Sequence, residues 1–348
     1  MLGRRFYSRP ALRQTGDAAP ASSGPGWRPS GPVGGWVLSL AVEPRSSQVF
    51  ALTERSGVYR SDDRGVTWGS AHRGLPSERV SRLLPAPGVL YALAAERIYR
   101  TIDRTIDRTI DRTIDAGTSW EEVAFPGPAL AAAVAPSAPE SLYAFAGGLE
   151  LLGSDDGGRS WRELGDLPAL GIACMTVDPG SPRTVYAATV EGAFLRSRDG
   201  GGHWTVTATL ESLPPQELLV DAAAPSNLYL LAGGRLHRSL DRGDHWSRID
   251  LGLPAEGRIG ALAALSRPVP RLYAAVELAP SAALLSVSLD RGITWQLLQK
   301  TDSLTALAVD PAHPRRLYAG SRRQGVFWSA SSGTQWAQGR GLLDRDSP

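Results

Sequence analysis

One cysteine, one lysine and two methionines occur in 348 residues. A single cysteine, Cys174, excludes an intrachain disulfide; it lies in the apolar run Gly171-Ile172-Ala173-Cys174-Met175-Thr176-Val177 and reads as a small core residue. The five histidines are scattered without ligand spacing, so neither a metal nor a cofactor is expected. No apolar run is long enough to cross a bilayer. A net charge of +2 is too small to argue for a nucleic-acid or membrane partner. Residues 1–35 carry Arg4, Arg5, Arg9 and Arg13 and then Pro, Ala, Ser and Gly, without the continuous apolar core of a secretory signal. They read as a flexible N-terminal segment or an Arg-rich targeting segment, which leaves a cytoplasmic or an exported location open. What the chain does have is 38 Gly, 26 Pro and 42% hydrophobic residues, a composition that suits one large all-β domain with many turns.

One stretch occurs seven times. Ser61-Asp62-Asp63-Arg64-Gly65-Val66-Thr67-Trp68 is followed by variants ending at Trp120, Trp161, Trp204, Trp246, Trp295 and Trp336. The acid recurs as Asp115, Asp156, Asp199, Asp241 and Asp290, and Ser331 replaces it in the last copy. Each copy suits a tight connection between antiparallel strands. The carboxylate accepts backbone N–H groups across the turn, and the Gly takes a bend other residues resist. The Trp then enters the next strand, where its ring covers the edge of the packed sheets. These roles are structural, and seven copies fit a fold element better than a catalytic site.

The pattern S-x-D-x-G-x-x-W resembles the Asp-box, or bacterial neuraminidase repeat, of sialidases, xyloglucan-type endoglucanases, sortilin-like receptors and photosystem II assembly factors. The likeness runs from about Trp36 to Trp336. It implies a β-propeller and, since those families differ in activity, leaves function open. A sialidase would bring three Arg, a Tyr/Glu pair, an Asp acid and an Arg-Ile-Pro signature, and the signature has no match here. Xyloglucan-cleaving relatives imply two seven-bladed domains with aromatic platforms between them, and this chain has length for one. Sortilin-like receptors imply a larger ring, cysteine-rich modules and an anchor, for which this sequence shows no counterpart. The assembly factors are most similar in layout: one seven-bladed ring, no catalytic set, and a basic patch that docks proteins.

The Trp-to-Trp gaps are 52, 41, 43, 42, 49 and 41 residues. Repeats of that period, each too small to bury its own apolar face, form a solenoid or a closed ring. Each repeat offers four short strand-like runs, the first the most apolar; the second carries an aliphatic-aromatic pair such as Leu90-Tyr91 or Leu317-Tyr318. The fold expected is therefore all-β, a seven-bladed β-propeller with four antiparallel strands per blade and the boxes between strands three and four. The blades fall at about 36–78, 79–128, 129–168, 169–213, 214–256, 257–301 and 302–340, before a tail at 341–348. The long first gap contains a microrepeat, Thr101-Ile102-Asp103-Arg104 and two further copies through Arg112, which suits either a surface helix or an extended hairpin. The long fifth gap reads as an insertion at Glu277 to Ala283 that widens a rim loop. Trp27 precedes Val37 much as the box Trp residues precede the next blade, so it is a candidate ring-closing strand; Trp336 already offers the last blade an outer strand.

Connections in such blades alternate between two faces, which puts the boxes away from the usual ligand face. Glu43, Asp178, Asp221 and Asp310 end first strands and read as turn residues on the box face. The opposite rim, built from the 2–3 loops and the links between blades, carries the candidate ligand residues Glu54, Arg55, Glu96, Arg97, Glu150, Glu191, Arg235, Glu277, Arg322 and Arg323. Arginines there suit bidentate recognition of carboxylates or phosphates, and a Glu pair suits acid/base work on a glycosidic bond. No local spacing sets one pair apart, so no catalytic residue is assigned. The expectation is a monomeric, non-enzymatic recognition or assembly propeller for a protein or carbohydrate partner. A glycoside hydrolase is the alternative.

Overall fold

Short apolar runs bounded by Gly, Pro and acidic turns form strands covered on both sides by neighbouring sheets. The second strands show this most plainly: Val49–Thr53, Leu228–Ala232 and Leu317–Ser321 are buried at every position. The computed structural model describes residues 36–54, 57–76, 80–101, 119–147, 150–168, 171–210, 214–252, 257–279, 282–301 and 303–336. Within them the chain makes seven antiparallel sheets in sequence, a seven-bladed β-propeller. Six sheets have four strands in simple meander order, and the seventh has three among the described residues. The innermost strands are Val37–Val42, Val80–Ala86, Ala129–Ala135, Ile172–Asp178, Pro215–Val220, Arg258–Leu265 and Leu304–Val309.

The core is divided into seven clusters, one at each junction between neighbouring blades. Each box Trp belongs to the cluster that joins its own blade to the preceding one. Trp68 packs with Val37 and Val49 of blade one and with Ala306 and Tyr318 of blade seven. Trp161 stands edge-on to Phe125 and Trp246 to Phe194, each with ring centroids 4.8 Å apart. Trp120 and Trp336 are buried, while Trp204 and Trp295 are half-buried. The ring is thus wedged at every junction, where the sequence reading had the Trp covering a sheet edge.

Second-strand tyrosines reinforce the junctions. The hydroxyls of Tyr91, Tyr143 and Tyr229 donate to the carbonyls of Pro139, Pro182 and Arg291 in the following blade, at 3.2, 2.8 and 3.2 Å. Blade seven meets blade one directly: the Arg316 guanidinium donates to Arg64 O at 2.7 Å, and the Ser47 hydroxyl to Asp310 at 3.1 Å. Trp27 and the 102–112 part of the microrepeat lie outside the described residues, as does any strand following Trp336.

The expected insertion at Glu277 to Ala283 is corrected by the structure. Strands Arg271–Ala279 and Ala282–Ser288 run through it, with Glu277 opposite Ala283. The extra residues lengthen a hairpin instead of widening a loop, because alternating Ala, Val and Leu there continue the pleat and bury one side. A second regularity had no sequence signature. Every innermost strand carries a register shift after its first one or two residues, leaving Leu38, Ser81, Leu130, Ala173, Gln216, Gly260 and Thr305 as extra residues. Such bulges turn side chains away from the pleat, here toward the central axis.

Candidate recognition surfaces

The repeated turn is held together by its own acid. Asp63 Oδ1 accepts the Thr67 amide at 2.8 Å and the Ser61 hydroxyl at 2.8 Å, and Ser61 Oγ in turn accepts Gly65 N–H at 2.7 Å. Asp156, Asp199, Asp241 and Asp290 repeat the arrangement. Asp115 lies outside the described residues. In the last blade Ser331 Oγ takes over, accepting Gln335 N–H at 2.7 Å. Hydrogen bonds from the Thr294 hydroxyl and amide hold the Asp290 carboxyl down at about 2. For Asp241 burial opposes the shift, and the His245 amide and ring outweigh it to leave the carboxyl at about 2. The same contact raises the His245 pKa.

These shifts fix a pH dependence. Carboxylates depressed below the ordinary 3.8 contribute stability that is complete above that value and lost as pH falls through their folded values near 2. The raised His245 works the other way: its contribution is complete below 6.5 and disappears as pH rises through its folded value. The urea midpoint is therefore expected to drop between about pH 4 and about pH 2, with a shallower drop in Asp290→Asn. A midpoint unchanged across that interval would show that these turns do not hold the fold.

On the rim, Glu54, Glu96, Glu150 and Glu191 stand exposed on four successive blades. Glu96 follows Ala95 in a turn where both have positive φ, 61° and 48°. Arg97 is engaged by Glu122 of its own blade at 2.9 Å, and Arg235 donates to Gly257 O at 3.1 Å. Arg323 is exposed, and Arg55 lies outside the described residues. The structure brings together one group of rim residues. Arg322 of blade seven pairs with Glu277 of blade six at 3.1 Å and lies 4.6 Å over the ring of Trp36 from blade one. Glu277 is a strand residue neutralised by an arginine, not a loop carboxylate left for acid/base work.

Two adjoining cavities lie on the opposite face. They share Pro268 and Pro314, have volumes of about 650 and 640 Å³, and run together as one groove. The groove is built from the 1–2 turns of blades five to seven and from the repeated turns of blades six, seven and one. Six arginines line it: Arg64, Arg267, Arg271, Arg291, Arg315 and Arg316. Arg291 is neutralised by Asp221 at 2.9 Å. Arg271 and Arg316 donate to the carbonyls of Pro314 and Arg64, which orients them without cancelling their charge. Arg64, Arg267 and Arg315 are exposed and make no ion pair among the described residues. Pro268, Pro270, Pro311 and Pro314 supply rigid apolar walls, and Val269 is exposed beside them.

Sequence reasoning missed this groove. The signal was present in two first-to-second-strand turns, Arg267-Pro268-Val269-Pro270-Arg271 and Pro311-Ala312-His313-Pro314-Arg315-Arg316. Asp221 and Asp310, at the first-to-second-strand turns of blades five and seven, do cap backbone N–H groups, as expected of turn residues. Constant positions of the repeated turn hold its shape, while its variable positions Arg64, Arg291 and Ala330 face the groove. No three His, Cys, Asp or Glu side chains converge as a metal set among the described residues. No helix long and apolar enough to cross a membrane occurs among them either.

No protein-family model and no curated protein sequence matches the chain. Solved structures do resemble it. The GH74 enzyme of Niastella koreensis superposes with a TM-score of 0.67 at 19% identity, over 87% of this chain and 54% of that one. This chain thus spans about half the length of that enzyme. YCF48 from Cyanidioschyzon merolae gives 0.62 at 16% identity, covering 87% of this chain and 98% of that one. A YCF48 structure bound to D1 peptide gives 0.63 at 15% identity, with coverage of 88% and 95%. At these identities the likeness establishes the propeller fold.

Proposed function

We propose that this is a non-enzymatic recognition propeller of the assembly-factor kind, which docks an acidic, extended segment of a protein partner in the arginine groove. The observation that carries this reading is the concentration of uncancelled guanidinium groups along one groove of a chain whose net charge is only +2. Guanidinium forks match carboxylates geometrically, and proline walls offer apolar contact at little entropic cost. A single ring spanning nearly the whole of the YCF48 chains, one of them bound to a peptide, agrees with it. The rim is the second candidate surface, favoured by the cluster of Glu277, Arg322 and Trp36. A hydrolase of the GH74 kind would instead use paired rim carboxylates, about 5–5.5 Å apart for retention or 6.5–9.5 Å for inversion.

The test is a titration of a fluorescent Glu-rich peptide monitored by anisotropy. The triple variant Arg64→Glu, Arg267→Glu, Arg315→Glu is expected to weaken binding at least about tenfold, and added salt to weaken the wild type. Equal affinity for both proteins would remove the groove from consideration. Turnover in a glycan-hydrolysis screen, abolished by Glu→Gln at the rim, would overturn the non-enzymatic reading.

A further inference from the structure

The central channel is a separate space that shares no lining residue with the groove. It has a volume of about 350 Å³ and is lined by residues from all seven innermost strands. Those strands are sheet edges, so the channel wall presents backbone polar groups that no neighbouring strand pairs. The seven bulge residues all belong to the wall, at the end of each strand nearest the rim. Leu38 and Leu130 are 40% and 51% exposed there.

Two ionisable side chains line this wall, Arg82 of blade two and Glu217 of blade five. Both immediately follow a bulge residue, which sets them at the same level of the ring. Blades two and five are three places apart in a circle of seven, so the charges face each other from nearly opposite sides. They do not meet in a salt bridge among the described residues. Burial pushes the Glu217 carboxyl above its ordinary 4.5, and the Arg82 charge and a hydrogen bond from the Leu262 backbone N–H only partly offset this. The channel therefore holds a separated cation and anion, with Leu and Ala side chains and the polar Ser39, Ser81, Gln216 and Thr305 on the wall around them.

We infer that the channel binds a small zwitterion of amino-acid size, its carboxylate on Arg82, its ammonium on Glu217 and its carbon frame against the Leu and Ala wall. A molecule with one charge meets one end and leaves the other without an adjacent counter-charge. A zwitterion satisfies both. The volume lies in the range of small-ligand pockets, about 300–1,000 Å³.

The test is calorimetry and thermal shift on the full chain with a panel of free L-amino acids, set against short alkylamines and short carboxylates. At least one amino acid is expected to bind, with the single-charge probes at least about tenfold weaker. Arg82→Gln and Glu217→Gln should each weaken binding at least about tenfold. Gly260→Phe supplies a variant that keeps both charges. Gly260 has an ordinary φ and its nearest contacts to an added Cβ start at 3.5 Å, so a ring there fills the mouth without backbone strain. Loss of binding in that folded variant supports the channel as the site. Binding that survives Gly260→Phe, single-charge probes that bind as tightly as amino acids, or no binding by any amino acid would overturn the inference. Loss of peptide binding to the groove has no bearing on it.

Discussion

Trp68→Ala is expected to lower the stability of the ring by about 3–5 kcal/mol, read from the shift in urea midpoint. Trp68 is 2% exposed and fills the cluster between the first and last blades. The other six junctions join blades consecutive in sequence, whereas this one brings residues 36–76 against residues 303–336. Removing the indole leaves a cavity that two independently placed sheets must close around, and weakens the packed contact between the first and last blades. Trp204, half-buried between blades three and four, provides the comparison. Trp204→Ala should cost distinctly less, because part of its surface is already in water and the chain itself joins its blades. Equal losses for the two variants would show that the tryptophans act as interchangeable edge covers and not as wedges graded by burial.

Gly243→Ala is the second large effect. Gly243 has φ +91°, and an added Cβ would lie 2.1 Å from Phe194 Cε1. Phe194 cannot retreat readily: it is fully buried, with Trp246 at 4.8 Å and Tyr186 at 6.0 Å between ring centroids. The positive φ costs about 1–2 kcal/mol and the overpacking about 1–3 kcal/mol, so a total loss of about 2–5 kcal/mol is expected. Gly252 separates the two causes, because its φ is +64° and nothing lies within 4 Å of an added Cβ. Gly252→Ala should show the conformational cost alone, about 1–2 kcal/mol. If the two alanine variants unfolded at the same urea concentration, contact with Phe194 would have no part in the conservation of shape at that turn.

The parts of this fold that the sequence made legible are those decided locally. Ser61, Asp63, Gly65 and Trp68 lie within eight residues, and the bonds they make close inside the same turn. Tyr91 or Tyr143 marks a second strand because a short, wholly buried run needs bulk and a hydroxyl outlet. The groove was not legible because it is assembled across blades: Arg316 and Arg64 meet only when the ring closes, 252 positions apart. The bulges were hidden for another reason. In Ala129-Leu130-Ala131-Ala132 the extra residue is apolar like its neighbours, so the change of facing leaves no mark in the pattern. Glu277 was placed in a loop by its distance from the repeated turn, although the alternation around it already belonged to a strand.

The most direct measurement is to photo-crosslink a Glu-rich peptide to the intact protein and map the attached residues by mass spectrometry. Recognition on the face of the repeated turns requires attachment at 64, 266–271 and 311–316, competed by salt and lost in the triple arginine variant. Attachment concentrated at Glu54, Glu96, Glu150, Glu191, Arg322 and Arg323 would contradict it and return the binding surface to the rim.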